Sequence, residues 1–352
     1  MKLPHLPLFG LVLLAFETNT VVAEDRLAAL LERFPEADAN GDGTLTEAEV
    51  EAFREKRKES TATDRQARKR ERTLPTFADV SYGEHERQKF DLWVPEPIKD
   101  DPRLFPILVY FHGGGFVSGD KSQFDPDTYL EAGIACASVN YRLVDGESTL
   151  SPIPFEDSTL ALQTIRHRAL EAKLDPGRIA VSGGSAGAVI ALWLAYHDDL
   201  ADPSAEDPIR QQSTRVTCAV PINGPTNLMP DWIVKNIGGS DHVHGSFPKL
   251  FGEPVTLPVS DSLREKVVSV SPWEFLTPDD PPTYLVYSGP LDEVPLPETA
   301  TTGKVIHHPA FGKALKERLD EMGIENEFRY GFDPRGTPNI SEYLMTKFGM
   351  LD

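Results

Sequence analysis

Apolar residues along this chain fall into two rhythms. Short continuous or alternating runs, rich in β-branched and aromatic residues and bounded by glycine, proline or acids, predict buried strands. They cover 77–82, 90–94, 107–111, 135–141, 179–182, 216–221, 284–288 and 326–330. Longer stretches with apolar residues three and four apart predict helices over 154–171, 185–197, 262–268 and 310–322. The first two strands flank Gly83-Glu84-His85-Glu86 and form a hairpin. From the third strand onward, strands and helices alternate, which predicts an α/β domain with a mostly parallel sheet flanked by helices. No internal repeat appears.

The residues ahead of that alternation have a different character. Lys2, the apolar stretch 8–16 and the small residues Val21-Val22-Ala23 read as a signal peptide over 1–23. The mature chain then begins near Glu24 in a secreted or periplasmic setting; an uncleaved amphipathic tail is the alternative. The stretch is far shorter than the roughly 20 apolar residues that span a bilayer, so no stable membrane insertion is expected.

Residues 38–49 fit a twelve-residue calcium loop position by position. Asp38, Asn40 and Asp42 stand where side-chain oxygens reach a hard cation, and Gly43 allows the sharp turn. Thr44 offers its backbone carbonyl and Glu49 closes the site with two oxygens. Leu45 is the apolar residue that packs inward. With helix-like flanks at 26–34 and 48–54, residues 24–58 resemble an EF-hand, and the resemblance implies bound Ca²⁺. An acidic turn without metal is the alternative. Residues 54–72 then turn basic and lack an apolar face. Residues 59–74 read as a linker, either a solvated tether or a patch for an anionic polymer.

Composition bears on partners. With 352 residues and 40 % hydrophobic content, the chain has room for one large core plus an appendage. Asp plus Glu is 55 against 35 Lys plus Arg, a formal charge of −20, so the surface repels nucleic acid and suits calcium.

Chemistry concentrates in two glycine motifs. Gly183-Gly184-Ser185-Ala186-Gly187 sits between a strand and an Ala-rich helix. Its glycines permit a tight turn that lifts the Ser185 hydroxyl clear of the sheet, and the Ala186 N–H opens the helix toward a developing oxyanion. Upstream, His112-Gly113-Gly114-Gly115-Phe116 ends the third strand and lets backbone N–H groups approach a carbonyl oxygen.

Together, the strand order and these motifs resemble the α/β-hydrolase fold of the hormone-sensitive-lipase-like esterases. The likeness is closer to bifunctional feruloyl and acetyl-xylan esterases, over about residues 75–345 of a catalytic domain at 75–352. That resemblance implies Ser185 as nucleophile, Gly114, Gly115 and Ala186 as oxyanion donors, and Asp292 as the acid, with Glu293 as fallback. In that fold two strands separate Cys136 from Cys218. They then stand roughly 14 Å apart at about 4.8 Å per strand, too far for a disulfide.

Here the family pattern breaks. Its catalytic histidine follows the eighth strand, but residues 331–340 contain none. Elimination leaves His307 and His308, directly before the last long helix. His308 is preferred, with His307 the alternative. His242 and His244 in the segment between strands six and seven come next, and a metal site there lacks a third ligand. That segment also carries Trp232, Phe247, Phe251 and Trp273. It either overhangs the site and shapes its pocket or packs as a plain insertion.

The resulting expectation is an exported serine esterase that cleaves short acyl or aryl esters, as small molecules or on polysaccharide, with no cofactor beyond Ca²⁺. The alternative is a non-catalytic α/β-hydrolase acting as a binding module, suggested by the missing histidine.

Overall fold

A computed structural model describes residues 37–39, 42–46, 48–50, 52–53, 73–96, 102–240, 244–331 and 339–351. The signal-peptide reading and nearly all of the linker lie outside those residues. The chain divides into two units, Met1–Arg72 and Thr73–Asp352. Within the first, Ala37, Leu45 and Val50 are buried together and Phe53 packs against them.

The second unit is built on one eight-stranded sheet in the order β1-β2-β4-β3-β5-β6-β7-β8. Its strands are β1 (Phe77–Ser81), β2 (Lys89–Trp93), β3 (Phe105–Phe111), β4 (Ala135–Val139), β5 (Leu174–Gly184), β6 (Cys218–Ile222), β7 (Thr283–Val286) and β8 (Asn326–Arg329). β2 runs antiparallel to β1 and β4; every other neighbouring pair is parallel. The helices are α1 (Asp127–Glu131), α2 (Ile153–Arg168), α3 (Ala186–Tyr196), α4 (Pro230–Asn236), α5 (Phe247–Phe251), α6 (Asp261–Val268), α7 (Thr302–Ile306), α8 (Ala310–Met322) and α9 (Ile340–Lys347).

Central parallel strands are covered on both faces, which is why they read as continuous apolar runs. Ile107, Val109 and Phe111 of β3 join one core with residues of α2, α3 and α8. Leu108, Cys136, Ala180 and Cys218 join a second core on the other face, with Tyr343 and Leu344 of α9. The register runs Cys136–Leu108–Ala180–Cys218 across four neighbouring strands. Two strands thus separate the cysteines, and both are buried free thiols.

The predicted strands and long helices all form, with ends shifted by a few residues. The sequence pattern missed α1, α4, α5, α7 and α9. Four of them have five to seven residues and α9 has eight, too short for helical periodicity to register.

The parallel strands deliver their carboxyl ends, and the loops leaving them, to one edge of the sheet, where open α/β sheets bind ligands. β5 meets α3 there across a very tight corner. A Cβ placed on Gly187 would lie 2.0 Å from the Phe111 backbone oxygen, and one on Gly183 would lie 2.3 Å from Gly187 backbone atoms. Backbone cannot rotate aside as a side chain can. Gly187→Ala is therefore expected to destabilise this unit by about 3 kcal/mol or more, measured as a shift of the urea midpoint. An unchanged midpoint would show that the corner has slack.

Candidate active site

Ser185 occupies the corner between β5 and α3 with φ 54° and ψ −115°. A non-glycine residue holds such a conformation at a cost of order 1–3 kcal/mol, and only when its surroundings determine it. Here the Ser185 N–H donates to the Ile222 carbonyl of β6 at 2.9 Å, and the glycines on either side admit β3. The hydroxyl is left facing out of the corner, half-buried.

Facing it is His307, the residue just past the end of α7. Its Nε2 lies 2.9 Å from Ser185 Oγ. Burial and the nearby His244 hold the His307 pKa below 6.5, while the Gly303 carbonyl favours the protonated ring. A neutral imidazole with its Nε2 lone pair on the hydroxyl is the arrangement of a general base.

The histidine order read from the sequence needs correction. His308 does not face Ser185. It is 2 % exposed, and its Nδ1 accepts the Ala310 N–H at 3.1 Å, where it caps α8. Successive residues leaving a helix point in different directions, so α7 decides which imidazole reaches the serine, and its short pattern hid that choice.

Asp292 is not brought to His307 either. Its carboxylate pairs with Lys304 Nζ at 2.6 Å, and that ammonium holds its pKa below the usual carboxylate value. Glu293 is exposed. Among the described residues, no carboxylate hydrogen-bonds His307. His242 lies outside the described residues, whereas His244 lines the pocket beside Ser185.

The loop 112–116 is pressed against the corner, since a Cβ on Gly113 would lie 2.8 Å from the Gly184 oxygen. Gly114 and Gly115 take φ +109° and +60°, which glycine adopts readily. His112 braces the loop from beneath. Its Nδ1–H donates to the Gly113 carbonyl at 2.8 Å and its Nε2 accepts from Arg87 at 3.2 Å. Its ring stacks on Tyr141 at 4.3 Å, and the Tyr141 hydroxyl donates to the His112 carbonyl at 2.8 Å. Burial pushes the His112 pKa down to about 4, so the ring stays neutral. The Gly114 carbonyl is taken by the N–H groups of Val117 and Ser118. Among the described residues, the N–H groups of Gly114, Gly115 and Ala186 have no acceptor. Sequence reasoning assigned no role to Arg87, whose position becomes visible only in the fold.

An apolar pocket of about 30 Å³ opens beside Ser185, lined by Phe116, Val189, Leu228, Ile233, Phe247 and Ile306 among others. The segment between β6 and β7 therefore supplies pocket walls through Leu228, Ile233 and Phe247. Trp232 instead packs on Trp273 and Phe311, with ring centres 5.6 and 5.7 Å away, and Phe251 is buried. A roomier groove of about 200 Å³, formed by β1, β2 and the end of α2, includes none of these site residues.

The BD-FAE family profile matches residues 90–301, more than half of the chain. This chain belongs to the BD-FAE family. The BD-FAE chain is 27 % identical over 216 residues to the probable carboxylic ester hydrolase LipM of Mycobacterium tuberculosis, covering 59 % of this chain and 46 % of LipM. It is 38 % identical over 104 residues to the carboxylesterase NlhH of the same species, covering 29 % of this chain and 31 % of NlhH. It thus spans less than half the length of these curated relatives. Among solved structures, the acetyl ester-xyloside bifunctional hydrolase of Caldicellulosiruptor lactoaceticus superposes with a TM-score of 0.58 at 20 % identity, covering 79 % of this chain and 96 % of that one. A thermophilic esterase of Thermogutta terrifontis gives 0.57 at 19 %, covering 80 % and 97 %. These likenesses establish the α/β-hydrolase fold.

In the first unit, which lies outside the matched stretch, the described part of the acidic loop is tightly wound. Gly43, at φ +81°, donates its N–H to Asp38 Oδ2 at 2.8 Å. Asp42 Oδ1 accepts the Thr44 N–H and hydroxyl at 2.8 and 2.7 Å. Glu49 Oε2 accepts the Thr46 N–H at 3.0 Å, and Thr46 Oγ accepts the Glu49 N–H at 3.2 Å, a reciprocal helix cap. Asn40 lies outside the described residues. Asp38, Asp42, the Thr44 carbonyl and Glu49 are hard oxygen donors of the kind calcium takes, although among the described residues no three His, Cys, Asp or Glu side chains converge as a metal-holding group.

A fluorophosphonate, which labels activated serines, is expected to react with Ser185. His307→Ala should slow that labelling by roughly 10²–10⁴-fold, while His308→Ala should leave it within a few-fold. Equal slowing by both variants would mean that the two imidazoles exchange places.

Proposed function

We propose that this chain is a serine hydrolase that cleaves short-chain carboxylic esters through an acyl-enzyme. The supporting observation is the Ser185 Oγ–His307 Nε2 contact at the strained corner. Ser185 Oγ attacks the ester carbonyl carbon as its proton passes to His307 Nε2. The carbonyl oxygen becomes an oxyanion and accepts from the N–H groups of Gly114, Gly115 and Ala186. His307 then returns the proton to the departing alcohol oxygen, leaving an acyl-serine. Water, deprotonated by the same imidazole, releases the acid. The Gly303 carbonyl favours the protonated His307 ring, the state that the resemblance has Asp292 stabilise. The binding-module alternative rested on a missing histidine, and the His307 Nε2 contact with Ser185 Oγ supports the esterase reading over it.

The pocket supports a short acyl group. One water needs about 10–15 Å³ on this measure, so about 30 Å³ suits an acetyl or propionyl tail. Acetyl groups on polysaccharide and small acetate esters share that chemistry. The surroundings fit an exported enzyme: the signal-peptide pattern, the acidic surface and a loop of hard oxygens that would take Ca²⁺ as a structural or regulatory ion. Among the described residues, no helix is long and apolar enough to cross a membrane.

Hydrolysis of a chromogenic acetate ester tests the core of this reading. Ser185→Ala is expected to abolish it, and equal rates for the two proteins would end the esterase reading. Asp292→Asn should lower kcat by less than about tenfold, against roughly 10⁴-fold for an aspartate that orients the base. Because the His307 pKa lies below 6.5, the base stays neutral further into acid. The rise of kcat/KM with pH should therefore be centred below 6.5 and level off above it.

Calorimetric titration with calcium should show one weak site, with Kd on the order of 10⁻⁴–10⁻³ M for an extracellular module. Asp38→Ala or Glu49→Gln should remove it, while ester hydrolysis survives chelation. Heat that persists in both variants would place the ion elsewhere.

A further inference from the structure

His244 lies in the segment between β6 and β7, and its contacts assign its proton. The Ser246 backbone N–H, which can only donate, points at His244 Nδ1 from 3.2 Å. The Ser246 hydroxyl lies 2.6 Å from the same nitrogen. Nδ1 is thus an acceptor, and the neutral ring carries its proton on Nε2. Burial lowers the His244 pKa, which keeps the ring neutral at pH 7.

The ring edge rests on the glycine loop. A Cβ placed on Gly115 would come within 2.8 Å of His244 Cε1, the carbon between the two nitrogens. With Nδ1 turned to Ser246, the available N–H is on the other side of that carbon. His244 also lines the small pocket together with Gly115, Ser185 and Ala186. It stands close enough to His307 to act on it electrostatically.

We propose that His244 is a side-chain oxyanion donor, its Nε2–H directed to the ester carbonyl oxygen beside the backbone N–H groups of Gly114, Gly115 and Ala186. This inference rests on the Ser185 esterase reading. No proton is transferred: Nε2 keeps its hydrogen, and the hydrogen bond strengthens as charge builds on the oxygen. Such a donor acts on kcat more than on KM. The two imidazoles then divide the work by tautomer. His307 presents a lone pair to the serine and His244 presents an N–H to the oxyanion. A neutral donor suits this place because a cation there would weaken His307 as a base.

The test compares kcat and KM of the full chain on a chromogenic acetate ester for wild type, His244→Phe and His244→Gln. Phenylalanine keeps the ring and removes the N–H, whereas the glutamine amide can put an N–H near the Nε2 position. His244→Phe is expected to lower kcat by roughly 10²-fold with KM little changed, and His244→Gln to recover much of the loss. Wild-type kcat in His244→Phe would overturn the proposal. So would equal losses in both variants, which would leave His244 a packing residue, or a change confined to KM. If circular dichroism shows His244→Phe unfolded, His244→Leu against His244→Gln makes the same comparison. Ser185→Ala separates the two levels. Activity surviving in Ser185→Ala ends the esterase reading itself. An inactive Ser185→Ala beside a fully active His244→Phe ends only the donor role.

Discussion

The candidate site depends on the corner at Ser185. Its φ of 54° is held by an N–H bonded into β6 and by glycines that let the end of β3 touch the start of α3. Because rigid backbone sets the position of the hydroxyl, the remaining groups have only to be delivered to it. The 112–116 loop arrives on β3, the Ala186 N–H arrives on α3 itself, and His307 arrives at the end of α7. Relaxing the corner would move the hydroxyl away from all three, which is why a strained residue persists inside an otherwise regular sheet.

Histidines around this corner are sorted by their backbone partners. His112 is buried, neutral and committed to the Gly113 carbonyl and Arg87, so it stiffens the loop. His308 spends its Nδ1 on capping α8. His244 spends its Nδ1 on Ser246, and His307 is left with Nε2 on the serine. Burial favours the neutral form in each case. One residue type thus appears in different roles because a neighbouring N–H or carbonyl decides which ring nitrogen carries the proton.

The departure from the resembling esterases lies in where the histidine facing Ser185 comes from. The segment after β8 carries no histidine, and α7, between β7 and α8, supplies one. Lys304 of the same short helix engages Asp292. The helix that brings the imidazole therefore also engages the Asp292 carboxylate.

Much of the fold was legible in the residues. Parallel strands buried on both faces must be apolar along their length, so β3 to β7 announced themselves. The Gly-x-Ser-x-Gly and His-Gly-Gly-Gly runs marked the corner and its loop because only glycine tolerates those contacts and φ values. The spacing of Cys136 and Cys218 followed from strand order alone. The sequence could not rank His307 above His308. Adjacent residues differ only in direction, and a five-residue helix too short to leave a periodic signal sets that direction. Nor could it separate Asp292 from His307, or place His244 on Gly115, since those contacts join segments far apart in the chain. Local geometry is written in neighbouring residue types; the partner of a side chain is decided by packing between distant elements, and only the tertiary structure contains it.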